Sequence, residues 1–260
     1  MKIKTLSTAA ILLSIASAAF AQAKPPEPDY TLSYNVGATT DYRYRGISQS
    51  GKKPALQGGV DFAMKNGLYA GAWASTITWI KDSSANPNNT KGPLELDLYG
   101  GYKGDISKDV AYDVGALQYL YVGNTLKNAS ANANTLELYG AVTVGGIATA
   151  KYSHSVTNLF GAASPGVNSK NSGYLDLSAT FDVGNGWSIV PHVGHQGIKH
   201  FTSYKDYSLT VNKDIDGLVL SAAFIGTNIK SKTGAAATLP GSGTKDLGNG
   251  ALVLSIKKNF

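Results

Sequence analysis

Thr31-Leu32-Ser33-Tyr34-Asn35-Val36-Gly37-Ala38-Thr39-Thr40-Asp41-Tyr42-Arg43-Tyr44-Arg45 alternates along its whole length. Even positions read Leu32, Tyr34, Val36, Ala38, Thr40, Tyr42 and Tyr44, a largely apolar to aromatic face. Odd positions read Thr31, Ser33, Asn35, Gly37, Thr39, Asp41, Arg43 and Arg45, all polar or Gly. Successive side chains of a strand point to opposite faces, so a period of two marks a strand between two unlike environments. An ordinary globular strand runs about 5–6 residues, and about 9–11 cross a bilayer. This segment is longer than both. Its apolar face ends on Tyr42 and Tyr44, where an aromatic girdle at a membrane boundary would stand.

The pattern recurs down the chain. Leu56, Val60 and Phe62 oppose Gln57, Gly59 and Asp61; Leu94, Leu96 and Leu98 oppose Glu95, Asp97 and Tyr99. Val110, Tyr112 and Val114 oppose Ala111, Asp113 and Gly115; Leu136, Leu138, Val142 and Val144 oppose Thr135, Glu137, Tyr139 and Thr143. Leu175, Leu177 and Phe181 oppose Asp176, Ser178 and Asp182; Tyr207, Leu209 and Val211 oppose Ser208, Thr210 and Asn212. Residues 68–80, 147–156, 187–196 and 218–228 alternate less cleanly. With the C-terminal segment the total is about 12 strands.

The connections alternate as well. Tight turns follow the even strands: Lys65-Asn66-Gly67, Gly104 to Asp109, Gly145-Gly146, Gly184-Asn185-Gly186 and Asp214-Ile215-Asp216-Gly217. Asn-Gly, Gly-Gly and Asp-Gly supply the positive φ of hairpin turns. Long polar loops follow the odd strands, over 46–54, 81–93, 123–133, 157–171, 197–205 and 229–250. Short turns at one end and long loops at the other predict an all-β, antiparallel, closed transmembrane barrel with periplasmic turns and extracellular loops. An even strand count leaves both termini on the turn side.

The N-terminus fits an exported protein. Lys2 and Lys4 precede the small, apolar run Leu6 to Ala18, and Ala19-Phe20-Ala21 and Ala21-Gln22-Ala23 are cleavage candidates. Residues 1–23 are expected to be a cleaved signal peptide and residues 24–260 the barrel. After this leader there is no run of 18 apolar residues, so no transmembrane helix is expected. The chain has 30 Gly and 15 Tyr but no Cys, so it needs neither disulfides nor thiol chemistry. Its formal charge of +6 falls to +4 without Lys2 and Lys4. That modest balance, with no basic patch interleaved with aromatics, gives no case for nucleic acid.

The C-terminus reads Leu252-Val253-Leu254-Ser255-Ile256-Lys257-Lys258-Asn259-Phe260, with Leu252, Leu254, Ile256 and Phe260 on one parity. A last strand of this kind that stops on Phe resembles the closing strand of outer-membrane barrels, which their assembly machinery recognises. Lys258 departs from the apolar parity, as a lysine reaching for the headgroups would. Three further stretches sharpen the likeness: residues 40–50, from Thr40-Asp41-Tyr42-Arg43 to Ser50; Pro54-Ala55-Leu56-Gln57-Gly58-Gly59-Val60-Asp61; and Gly67-Leu68-Tyr69-Ala70-Gly71-Ala72-Trp73-Ala74-Ser75. Echoes follow at residues 94–102, at Glu137-Leu138-Tyr139 and at Gly173-Tyr174-Leu175-Asp176-Leu177. The mature chain resembles the TorF family of porin-like outer-membrane proteins. The resemblance implies an outer-membrane barrel and names no substrate.

The inward parity carries the charge. Candidates for the lumen or its constriction are Asp41, Arg43, Arg45, Asp61, Glu95, Asp97, Asp113, Glu137, Lys151 and Asp176, with Asp182 and Lys257 on the same parity. Asp41, Arg43 and Arg45 stand at the loop end, where they would form a constriction or anchor a loop. Such a lining would tune which small solutes pass. Alternatively the charges pair across strands and plug the interior, because 12 strands lie between filled 8-stranded barrels and open 16-stranded ones. A plugged barrel would act as a structural or adhesive protein. A lipid-modifying enzyme is a remote third reading: His154 and Ser155 are neighbours and point to opposite faces, so they cannot form a base–nucleophile pair. His192 and His195 likewise have opposite parity, and no acidic residue sits near them at metal-ligand spacing. No catalytic residue, metal or cofactor is expected. The expected partners are membrane lipid and lipopolysaccharide, the barrel-assembly machinery and small solutes. A monomer or dimer is favoured, since trimeric porins are larger.

Overall fold

The computed structural model describes residues 28–82, 91–126, 131–229 and 246–260. The expected signal peptide lies outside the described residues. Twelve barrel strands follow one another in antiparallel order: β1 (Tyr30–Thr39), β2 (Ala55–Met64), β3 (Leu68–Thr76), β4 (Leu94–Ser107), β5 (Val110–Val122) and β6 (Thr135–Val144), then β7 (Ala148–Ser155), β8 (Gly173–Ala179, continued by Phe181–Gly184), β9 (Trp187–Gly197), β10 (Tyr204–Ile215), β11 (Leu218–Thr227) and β12 (Ala251–Asn259). Each pairs with its sequence neighbour, and β12 returns to β1, from Asn35 opposite Asn259 to Thr39 opposite Ser255. The sheet is therefore closed, with no edge left to pair. The two pieces of β8 are one strand: Ser178 faces His192 and Phe181 faces Ile189, so the register with β9 is kept across Thr180.

The parity read from the sequence is the parity of the wall. Leu32, Leu56, Leu98, Leu138, Leu175, Leu209 and Leu254 all point outward and are 43–69% exposed. So broad an exposed apolar surface suits lipid and not water. Aromatics ring its turn end: Tyr30 stacks on Phe62 at 5.5 Å, Tyr102 lies 6.1 Å from Tyr112, and Phe181, Trp187 and Phe260 are exposed nearby. Lys258 extends its amine 2.6 Å to the Asp216 carbonyl at the turn, so the one charged residue on this parity of β12 leaves the apolar band. The Asn185-Gly186 and Asp216-Gly217 turns have positive φ at both central residues, the I′ geometry their sequences call for.

Two sequence expectations are corrected. The turn placed over Gly104 to Asp109 is shorter: β4 runs on to Ser107 through a bulge, leaving Lys108-Asp109 between the strands. More consequentially, β1 stops at Thr39, and the chain does not continue as strand to Arg45. Residues 40–54 fold inward around a small hairpin, Arg43–Tyr44 against Ile47–Ser48. Tyr42, expected in the lipid girdle, is 9% exposed, and Tyr44 packs inside against Tyr119 and Phe160. The period of two is the same whether an aromatic faces lipid or a packed mouth, so alternation could not separate the two.

Candidate functional site

The inward hairpin organises the loop end of the barrel. Its two central residues, Arg45 (φ 46°) and Gly46 (φ 80°), form a two-residue turn that needs positive φ at both places. Gly46 meets a second demand. A Cβ there would lie 2.5 Å from Thr227 Cγ2 and 2.7 Å from Asp206 Cβ, so the tip is pressed against β10 and β11. Non-Gly residues in this region cost roughly 1–2 kcal/mol; Arg45 accepts that strain in exchange for its contacts.

Those contacts cross the lumen. Arg45 Nη2 donates to Glu137 Oε2 at 2.7 Å and Nη1 to Glu137 Oε1 at 3.0 Å, a fork on a carboxylate of β6. Nη1 also donates to Gln196 Oε1 on β9 at 2.5 Å. The guanidinium lies 4.1 Å over the Tyr174 ring and 4.8 Å over Tyr44. Burial works against its charge, yet the charge of Glu137, with smaller contributions from Tyr44 and Tyr119, holds its pKa above the ordinary arginine value. At the hairpin's base, Asp41 Oδ2 accepts from Arg43 Nε at 2.8 Å, and Asp41 Oδ1 accepts from Ser48 Oγ at 2.5 Å. Arg43 Nη1 ties the hairpin to the Asn249 carbonyl at 2.6 Å. Burial, then the charges of Glu95 and Asp97, push the Tyr42 hydroxyl's pKa up.

One side of the hairpin is packed. Tyr42, Ile47, Trp79, Tyr121, Leu126 and Leu159 belong to an apolar core that spans the mouth against β3 to β6. The other side is open. A cavity of about 370 Å³ lies between the hairpin and β7 to β11, lined by Arg43, Arg45, Lys151, Asp176, His192 and Asp206 among others. A second cavity, of about 400 Å³, lies nearer the turn end of the same β9 to β11 wall. Ser188, Asn212 and Ser221, with Asn35, Gln57 and Lys257 opposite, line it.

The remaining candidates stand on the inner wall. Asp61 accepts from Tyr99 and Asp113 from Tyr69, each at 2.5 Å, and among the described residues neither makes an ion pair. These tyrosines lie across the glycines of neighbouring strands: a Cβ on Gly71 would strike the Tyr99 ring at 2.5 Å. Glu95 and Asp97 are buried behind the hairpin, each with one carboxylate oxygen lacking a hydrogen-bond partner. Lys151 sits 3.9 Å over the Tyr139 ring. The structure thus joins Asp41 to Arg43 and Arg45 to Glu137, and leaves Asp61, Glu95, Asp97 and Asp113 apart from them along β2, β4 and β5.

Sequence reasoning missed one cluster. His192 Nε2 is 2.8 Å from Asp176 Oδ2 and its Nδ1 is 3.7 Å from Asp206 Oδ1, with the Tyr174 hydroxyl bonded to both His192 and Asp206. The acidic partners of His192 escape a search by local spacing because they lie on the neighbouring strands β8 and β10, 16 and 14 residues away. Only shared inward parity could have pointed to them. His154 faces outward and bonds Asn171 at 3.2 Å, while Ser153 and Ser155 are buried on the inner side.

A closed 12-stranded barrel with an apolar belt and an inward first loop is now in view, and one sequence family accounts for residues 22–260. The chain belongs to the Gcw_chp family. Its description is a bacterial protein of unknown function. No curated protein matches the chain. Among solved structures, the KdgM porin, in complex with disordered oligogalacturonate, superimposes on this Gcw_chp barrel with a TM-score of 0.52 at 6% identity, covering 88% of this chain and 98% of KdgM. The NanC porin gives a TM-score of 0.51 at 10% identity, covering 88% and 99%. At such identities the likeness is one of fold: the Gcw_chp barrel is porin-like.

Proposed function

We propose that this protein is an outer-membrane porin that passes small hydrophilic solutes through a narrow, charged opening beside the first-loop hairpin. Asp41, Arg43, Arg45 and Glu137 fix the hairpin; Lys151, Asp176, His192 and Asp206 line what it leaves open. The observation that carries this reading is the pair of cavities on one wall. His192, Asp206 and Ser208 border the upper one, and Ser188, Asn212 and Asp214 on the same two strands border the lower. Together they outline a polar route from mouth to turn end, off the barrel axis. On this reading the loops face outward, the turns face the periplasm, lipid and lipopolysaccharide surround the belt, and the strand ending at Phe260 is what the assembly machinery engages. The motif resemblance to the TorF family agrees with this assignment.

The test is conductance of pure protein in a planar bilayer. Discrete steps that shrink in the presence of added small polyethylene glycols support a narrow pore. Silence across salts and voltages overturns it and favours a second reading, a structural barrel closed at its mouth. The apolar core around Ile47, Trp79 and Leu159 is the observation on that side.

A further inference from the structure

The outer wall of β7 to β10 carries a groove near the loop end that the solute route does not use. Its floor is Gly197, where a Cβ would meet only the Gly173 carbonyl, at 3.5 Å; the Tyr152 ring lies over the facing Gly173 of the β8–β9 ladder and walls the groove on that side. Tyr152, Leu175, His195 and Lys199 border its volume of about 380 Å³. Toward the turn end the wall becomes apolar, with Leu175 43% and Val193 54% exposed. Toward the loops it becomes cationic: Lys199 is exposed, and Lys205, also exposed, faces His195 across the β9–β10 ladder.

The carboxylates of the neighbouring strands, Asp176 and Asp206, turn inward to His192. Among the described residues neither Lys199 nor Lys205 makes an ion pair. Their backbone is nevertheless held: Lys199 N donates to Ser172 Oγ at 3.0 Å and Lys205 N to Asn228 Oδ1 at 2.8 Å. Two exposed lysines at the loop end of an apolar groove on a lipid-facing wall match an amphiphile with phosphates on its head and an acyl chain below.

We propose that this groove seats a phosphorylated glycolipid of the outer leaflet, with its phosphates on Lys199 and Lys205 and an acyl chain along Leu175 and Val193. The proposal rests on the reading above that the loop end faces outward.

Native mass spectrometry of the detergent-purified protein tests it, with bisphosphorylated lipid A as the probe. Wild type should retain lipid A. Lys199→Ala/Lys205→Ala should lower retention at least tenfold, and Gly197→Leu, which fills the floor without touching charge, should lower it as well. Lys52→Ala/Lys53→Ala, at another part of the rim, should leave it unchanged. No lipid A on wild type, equal loss in both lysine pairs, or equal retention of phosphatidylglycerol or dephosphorylated lipid A would each overturn the site. Thr202→Cys separates the two readings: labelling by a membrane-impermeant maleimide on intact cells supports the orientation, and failure to label overturns it. A conducting, outward-labelled barrel that holds no lipid A loses only the glycolipid site.

Discussion

Replacing Glu137 by Ala removes the anchor of the hairpin while leaving the hairpin's own sequence intact. In the closed state Arg45 is 9% exposed and is held by the Glu137 fork, by Gln196 and by two aromatic faces. Taking away the carboxylate leaves a buried guanidinium without its counter-ion, which costs roughly 3–5 kcal/mol. An opened hairpin escapes that cost because its guanidinium returns to water. At about 1.4 kcal/mol per decade, the open fraction should rise roughly 150- to 4,000-fold. Trypsin reports this directly, since Arg43 and Arg45 become substrates only when the hairpin leaves the lumen. While closing outpaces cleavage, the cutting rate follows the open fraction. Glu137→Ala should therefore be cut at Arg43 or Arg45 at least 100 times faster than wild type, and bilayer recordings should show more time at a higher conductance level. Glu137→Ala/Arg45→Met, which removes both charges, should recover much of the resistance. A folded Glu137→Ala barrel cut no faster than wild type would refute the idea that this pair holds the hairpin in place.

Three further outcomes are expected. Gly46→Val should displace the hairpin tip, through the φ of 80° and the 2.5 Å approach to Thr227, and should raise trypsin cutting at Arg45 without lowering barrel stability. Leu254→Arg, on the outer face at 50% exposure, should cost roughly 2–4 kcal/mol in urea unfolding from lipid vesicles, whereas Ser255→Arg, one residue on and facing the lumen, should cost less and alter conductance. Tyr99→Phe removes the 2.5 Å hydrogen bond that Asp61 accepts, and should change single-channel current while lowering stability by about 1.5–3 kcal/mol.

Most of the barrel was legible because its strands answer to a local rule. Each residue's side is fixed by parity, so Leu252, Leu254 and Ile256 declare the outer face and Glu95, Asp97 and Glu137 the inner one. The Asn-Gly and Asp-Gly pairs mark their own turns by needing positive φ. The same rule failed from Thr40 to Ser48. There the alternation continues but its meaning changes, because Tyr42 and Tyr44 exchange a lipid surface for a mouth packed by Trp73, Tyr119 and Phe160.

What the sequence by itself determined is the two-faced strand and the short-turn, long-loop polarity, since each depends on neighbours a few residues apart; the even strand count and the apolar last strand then implied that the last strand closes on the first. What only the tertiary structure decided is which charges meet. Arg45 finds Glu137 across 92 residues, and His192 finds Asp176 and Asp206 on the strands either side of it. Such pairs depend on the stagger of strands around the barrel and on a loop that turns inward instead of extending. Neither the stagger nor the turn leaves a periodic trace in the chain.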